Sequence, residues 1–356
     1  VTLSGTSEKR GISLHYDFLV IALGSQTNFF GLTNVEEHAY TMKTLNDAMI
    51  LRNRIIDMLE QAENETNPIL RKSLLTFVVV GAGFAGIETA GELIDFVLDA
   101  RKYYPHISKQ DIRVVVLEAL SSILPGFSEK LAKFAYEKLI QRGINIRLNT
   151  AVTSFDGTEV LVKSLENREN KNIEAIQTKT LVWTAGITPV DTIKNSIFKT
   201  EKGKIIVNEF LEIPDFPGVF AIGDCCQTID PVTKRPYAPT AQLAEAHAKI
   251  AAHSLYALIR NKQKKNFEYK SKGQMAIIGK RSGIASVFGM NIYGFLAWWL
   301  WQSVYLSKIS RLEKRVRVLL DWIIDLFFDR DISRLKYLKR ESSKEYKELD
   351  EVDDVW

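Results

Sequence analysis

At 356 residues the chain is too long for one compact domain and long enough for two or three. Its apolar fraction of 46% is ordinary for a globular protein, so a sizeable core is expected, and a net charge of +4 with acids and bases interspersed gives no reason to expect nucleic acid as a partner. The 2 cysteines, Cys225 and Cys226, are adjacent, which suits neither a structural disulfide nor a zinc site and makes a reducing, cytosol-facing location the default.

The first residue is valine, no secretory signal opens the chain, and the sequence enters directly into strand-like material. It reads as a fragment lacking its natural N-terminus. DFLVIALG (17–24) is a short β-rich run ending in glycine, the pattern of a buried parallel strand. A charged helix is predicted from Thr44 to Ala62, broken by the polar turn at Asn64–Asn67 and Pro68. LTFVVV (75–80) reads as a strand, GAGFAG (81–86) as a glycine turn, IETAGELIDFVLDA (87–100) as a helix and RVVVLEA (113–119) as a second strand. A helix over Glu129–Arg142 and the strand INIRL (144–148) continue the alternation, and KTLVWTAG (179–186) repeats the strand-to-glycine pattern. Such alternation predicts an α/β protein with parallel sheets covered on both faces. Shorter strands are expected from Gly203 to Ile213, then a strand in GVFAIGDC (218–225), a helix from about Thr240 to Ile259 and strands near 274–288. The charged tail after Lys339 is expected to be poorly ordered.

Gly81, Gly83 and Gly86 fit G-x-G-x-x-G in the required context, after a strand and opening a helix. The first glycine permits the tight turn and the second lets a pyrophosphate approach the backbone. The third lets helix and strand pack closely, while the helix N-terminus favours phosphate charge. The pattern marks a dinucleotide site; a turn serving packing alone is the alternative. Glu118 ends the following strand, where an acid can bind ribose hydroxyls. It lies further on than the usual ~20 residues, an offset that a longer helix and the loop around Tyr104–Lys109 would explain. With no arginine directly after it, the acid favours NADH over NADPH; an exposed strand-end carboxylate is the alternative.

Three further pieces point to a second nucleotide: VIALGS (20–25), VWTAG (182–186) and GVFAIGDC (218–225). With GAGFAGIETAGEL (81–93), VWTAGITP (182–189), FAIGDC (220–225) and TAQLAEAHA (240–248), the chain resembles the two-dinucleotide-domain flavoprotein reductases. Within them it most resembles the type II NADH dehydrogenases, single-subunit, non-pumping NADH:quinone oxidoreductases. The resemblance runs from about Tyr16 to Phe328. It implies two Rossmann-like domains of the glutathione-reductase kind, FAD, NADH and a C-terminal amphipathic membrane-attachment region.

Carried over by position, Asp224 would bind the ribityl–phosphate part of the flavin, with Gly24, Ala185, Gly186 and Gly223 approaching the nucleotides. Ala241 and Gln242 match the family's alanine–glutamine motif beside the isoalloxazine and quinone. Where the family often has a second glutamine this chain has Glu245, which leaves the quinone contacts open. Glu88 matches a carboxylate that the family places near the nicotinamide and quinone, and Lys308 falls where some members carry a lysine near the flavin and quinone.

Hydride transfer from nicotinamide to flavin is cofactor chemistry that the protein aligns. Quinone reduction also needs protons, which a carboxylate of tuned pKa can handle. Glu88 is the candidate, its alternative being a first-turn acid that favours the helix dipole. Gln242 can hydrogen-bond a ring carbonyl or be a surface amide, and Lys308 can stabilise charge on reduced flavin or quinol or simply face solvent or lipid. His247 and His253 lack partners at metal or triad spacing and read as structural or exposed; no metal site is expected. The adjacent cysteines lack the spacer of a disulfide reductase, and an intact NADH turn argues against a sulfide:quinone-reductase-like enzyme.

From Ile284 to Leu306 no residue is charged, yet Gly289, Asn291 and Gly294 interrupt the stretch and its tryptophans cluster, which favours an interfacial anchor over a membrane span. Leu312, Val316, Leu319, Leu320, Ile323, Ile324, Phe327 and Phe328 then form one apolar helical face, with Lys308, Arg311, Lys314, Arg315 and Arg317 available to anionic headgroups. A dimer interface or a core helix is the alternative. The expected layout is a remaining part of the FAD domain (1–40), an NADH domain (41–198), the FAD domain continued (199–288), membrane-associated helices (289–340) and a charged tail (341–356). The expectation is a peripheral membrane protein on the cytoplasmic face, forming a homodimer, that passes electrons from NADH through FAD to a membrane quinone. A soluble NADH-dependent reductase of a small redox protein is the runner-up, and an NADH-binding regulatory protein without flavin the non-enzymatic alternative.

Overall fold

The structure, a computed structural model, describes residues 2–3, 10–11, 15–166, 172–328, 332–334, 339–340 and 346–347. Apart from residues 346–347, the expected charged tail lies outside them, as does the side chain of Phe327. By internal contacts the chain divides into two units, residues 1–26 with 187–271 and residues 27–186 with 272–356.

The larger unit is built on a parallel five-stranded sheet, ordered Tyr40–Thr41, Thr180–Trp183, Thr76–Val80, Arg113–Leu117, Ile144–Arg147. Its central strand is buried throughout because both faces are covered: Phe77 and Val79 enter one core while Val78 and Val80 enter another. The next strand alternates likewise, Val114 and Val116 against Val115 and Leu117. Helices cover the first face. Leu45–Asn64 starts at Thr44 with a reciprocal capping box to Asp47, Phe84–Ala100 starts directly after Gly83, three residues before the expected start, and Glu129–Gln141 follows. The second face is covered by an antiparallel sheet of Thr150–Phe155, Glu159–Ser164 and Ile173–Gln177, which the sequence reading had not resolved into strands.

Three more antiparallel strands, Gly273–Ile277, Gly283–Val287 and Met290–Gly294, belong to this unit. Ala276, Ile278 and Ile284 are buried in the same core as Leu93, Ile94 and Val97 of the Phe84–Ala100 helix. That shared core groups 272–288, like 27–40, with the dinucleotide unit, whereas the sequence reading had assigned both stretches to the flavin domain. Helices Phe295–Lys308 and Leu312–Phe327 follow. Arg315 caps the first of them, its guanidinium donating to Ile309 O at 2.6 Å and Ser307 O at 2.8 Å. It therefore serves the turn between the helices, in addition to the surface role read from sequence.

In the smaller unit Leu19–Ile21 pairs in parallel with Val219–Ala221, and Lys204–Ile206 pairs in parallel with Cys226–Gln227. Ile21, Ile205, Val219, Ala221, Cys225 and Cys226 form its core. Helix Ala241–Ile259 is capped by Thr240, whose hydroxyl accepts from Leu243 N at 3.2 Å.

Candidate functional site

In the larger unit the glycine turn joins the central strand to the Phe84–Ala100 helix. Gly81 has φ +98°, a conformation that glycine adopts without the penalty of a Cβ. Its N–H bonds Leu117 O at 2.8 Å and so locks the turn to the next strand. A Cβ on Gly86 would lie 1.8 Å from Gly81 O and 2.7 Å from Thr184 Oγ1, so this glycine is required by packing. A Cβ on Gly83, by contrast, would meet nothing within 4 Å. Gly83 therefore keeps an open space in front of a helix N-terminus whose first-turn amides have no intrahelical acceptors. Ala185 packs beside the turn, its N lying 3.0 Å from where a Gly81 Cβ would be, and Ala185 O accepts from the indole Nε1 of Trp183 at 2.7 Å. Gly186, with φ +75°, ends the same segment.

Glu118 is buried rather than exposed, and it is turned onto the glycine turn itself. One carboxylate oxygen accepts from Ala82 N and the other from Leu120 N at 2.9 Å. A carboxylate has about four acceptor positions, so two ribose hydroxyls can share it with these amides.

The smaller unit gathers Gly24, Gly223 and Asp224. The Ser25 hydroxyl donates to Asp224 Oδ2 at 2.8 Å, and Gly24 and Gly223 have φ of +68° and +74°. His247, which sequence reasoning left as structural or exposed, is fully buried beneath them. Its Nδ1 accepts from Gly223 N at 3.0 Å and its Nε2 lies 3.2 Å from Thr228 Oγ1, so Nε2 carries the proton and donates. Burial pushes the imidazole pKa down to about 4, against the opposing pull of Asp224. No sequence signal could have found this, because the partners of His247 are backbone and a threonine about twenty residues away. Cys225 and Cys226 are both buried with free thiols, and burial raises the pKa of each, that of Cys226 to about 12. Such thiols are poor nucleophiles. Ala241 and Gln242 open the Ala241–Ile259 helix, and a Cβ on Gly223 would lie 3.7 Å from Ala244 one turn along.

Glu88 lies in the larger unit, in the second turn of the Phe84–Ala100 helix. Its Oε1 accepts from Ile277 N at 3.0 Å. Burial raises its pKa, the Ile277 amide pulls it down, and the neighbouring Glu92 raises it further. A carboxyl held so keeps its proton to higher pH than a first-turn surface acid would. The phenol of Tyr305 feels the Glu88 charge and, with burial as the larger cause, has its own pKa raised. Tyr305 stacks on Trp301 at 4.2 Å, and Lys308 Nζ sits 5.9 Å from the Tyr305 ring centre. Helix Phe295–Lys308 therefore brings an aromatic–cation group to the neighbourhood of Glu88. Beyond it, Leu312, Val316, Leu319, Leu320, Ile323 and Ile324 each keep at least 43% of their surface exposed. Among the described residues no helix is long and apolar enough to cross a membrane, and no group of three or more His, Cys, Asp or Glu could hold a metal ion.

Residues 1–248 match the family model of pyridine nucleotide-disulphide oxidoreductases, and residues 271–331 match the NDH2 C-terminal domain. The chain is 34% identical to a probable NADH dehydrogenase of Dictyostelium discoideum over 91% of its own length and 70% of that protein's. It is 31% identical to a type II NADH:quinone oxidoreductase of Mycobacterium tuberculosis, covering 87% of this chain and 66% of the relative. With an external alternative NADH-ubiquinone oxidoreductase of Yarrowia lipolytica mitochondria it shares 30% identity, covering 90% and 62%. The chain thus spans about two thirds of the length of these relatives. Its fold is that of NDH2 from Plasmodium falciparum, solved in complex with NADH, with a TM-score of 0.84 at 22% identity over 92% of this chain and 81% of that one.

Proposed function

The chain belongs to the pyridine nucleotide-disulphide oxidoreductases and, through its NDH2 C-terminal domain, to the type II NADH dehydrogenases, and from this membership we propose that it passes electrons from NADH through FAD to a membrane quinone without pumping protons. The observation that carries the reading is the joining, in one chain, of a dinucleotide turn with an open Gly83 and a C-terminal helix pair with an unpartnered apolar face. The C-terminal domain argues against a soluble reductase of a small redox protein, and two buried, adjacent thiols argue against sulfide:quinone chemistry.

The residues fit the cofactors. The space at Gly83 suits the NADH pyrophosphate against the helix N-terminus, with Ala185 and Gly186 beside the turn and Glu118 on the ribose. Gly24, Gly223 and Asp224 suit the flavin's ribityl–phosphate portion, Asp224 being oriented by Ser25. Bound there, FAD would supply the chemistry of taking up a hydride from NADH and passing its electrons on. The chain's own part is to hold the rings and to manage protons. Gln242, with Ala241 before it, donates to a ring carbonyl. Glu88 holds and gives up a proton on the quinone side, and Lys308 offsets negative charge there. In domain terms residues 1–26 with 187–271 serve FAD, 27–186 serve NADH and 289–340 attach to the membrane. Attachment is peripheral, on the cytoplasmic face, and the enzyme acts as a homodimer.

The test uses the full-length protein in detergent. Anaerobic NADH should bleach a visible flavin spectrum, and a short-chain quinone should restore it. Bleaching without recovery would move the acceptor to a soluble protein, and a folded protein without flavin would refute the reading.

A further inference from the structure

Three residues of one helix face, Glu88, Gly91 and Asp95, stand three and four positions apart on Phe84–Ala100, and all three meet the segment that ends the Gly273–Ile277 strand. Glu88 accepts from Ile277 N at 3.0 Å. At Gly91 a Cβ would lie 2.9 Å from both Gly279 N and Ile278 C, so only glycine lets the strand end come down onto the helix. Asp95 accepts from Lys280 N at 2.5 Å and takes both its oxygens to Arg142 Nη1, at 2.6 and 2.7 Å. Arg142 in turn donates its Nη2 to Lys280 O at 2.7 Å. Both backbone groups of Lys280 are thus held by one ion pair, which is itself largely buried.

We infer that Asp95, acting with Arg142, is a positioning residue for Glu88: the pair clamps Lys280, and the clamp keeps the Ile277 amide on the Glu88 carboxylate. Strand pairing of Ile277 with Gly283 fixes the direction of the strand but not its height over the helix. That height is set by the clamp and by Gly91. The inference deepens the proposed role of Glu88 and rests on it only for its consequence in catalysis. The charged and titratable groups facing Glu88 are Glu92 on its own helix and Tyr305 on Phe295–Lys308, with Lys308 one turn beyond; Gly273–Ile277 contributes none. An amide bond favours the ionised carboxylate, so its loss moves the Glu88 titration upward.

The test is infrared titration of the Glu88 carboxyl in the full-length flavoprotein, its band assigned by disappearance in Glu88→Gln. Asp95→Asn removes the charge from the pair and turns an NH2 toward a donor, Arg142 Nη1 or Lys280 N, and it should raise the Glu88 midpoint by about one pH unit. Arg142→Lys, which loses the fork to Asp95 and Lys280, should do the same and serves if Asp95→Asn fails to fold. The limb of the quinone-reduction pH profile that Glu88→Gln abolishes should shift with the midpoint, while ferricyanide reduction by NADH holds its profile. A midpoint unmoved in either folded variant overturns the inference. A midpoint that moves while the quinone profile does not leaves Asp95 as the positioning residue and refutes the catalytic reading of Glu88 instead.

Discussion

Replacing Gly86 and Gly83 by alanine separates packing from ligand binding on one turn. A methyl at Gly86 would stand 1.8 Å from Gly81 O. Relaxing that to an ordinary carbon–oxygen contact of about 3.3 Å demands a separation of about 1.5 Å. The helix cannot yield freely, because Ile87, Ala90, Leu93, Ile94 and Val97 are packed in the core behind it. The clash is with backbone, so the cost falls at the upper end of overpacking penalties, about 3 kcal/mol, or roughly 6–12 °C in Tm for a unit of this size. At Gly83 the backbone has φ −73° and no neighbour is within reach, so alanine should cost less than about 1 kcal/mol. Its methyl instead fills the space assigned to the pyrophosphate, and the NADH KM should rise at least about tenfold, a loss of about 1.4 kcal/mol in binding. Thermal melts and NADH titration with ferricyanide as acceptor, on the full-length protein, read both. A Gly83→Ala enzyme with unchanged NADH KM, or a Gly86→Ala protein melting like the parent, would refute the reasoning.

Stability should fall on the acid side through His247. Its folded pKa is depressed to about 4 from 6.5, so above pH 6.5 the contribution is complete. As pH drops the unfolded chain takes the proton first, and stability is lost until about pH 4, about 3 kcal/mol in all. Denaturant melts of His247→Gln should lack this limb; an identical pH dependence sinks the argument. Glu118→Gln keeps one acceptor oxygen for two backbone N–H groups, so it should cost about 1–3 kcal/mol and weaken NADH binding, which calorimetry of wild type and variant compares. Leu319→Asp with Ile323→Asp should abolish sedimentation with anionic vesicles while ferricyanide reduction persists; continued vesicle binding would show that another surface attaches the protein.

The dinucleotide turn was legible because everything that defines it is local: three glycines, a buried strand before and a helix after. Helix ends were legible where Thr44 and Thr240 supply caps. The three strands between 150 and 177 escaped notice because one of them exposes Ile173, Glu174, Ala175 and Gln177, and a register shift at Leu161/Val162 breaks the alternation. Glu118 was legible as a strand-end acid but not as a buried brace of the turn. Glu88 was named through family resemblance. Its partner Ile277 stands 189 residues away, and the clamp at Lys280 is equally remote, so neither leaves a periodic trace. His247 hid for the same reason.

The core of the larger unit closes only when Ala276, Ile278 and Ile284 reach it. Residues 187–271, which belong to the other unit, are synthesised in between. At translation speeds of roughly 5–20 residues per second, making residues 187–271 alone keeps the Phe84–Ala100 helix waiting about 5–20 s on the ribosome for the strands that will cover it. During that interval the nascent chain carries a nearly finished sheet with one flank of its helix bare. The order of synthesis thus makes the C-terminal strands the last step of folding for a unit that begins near residue 27, and chaperone demand should concentrate in that window.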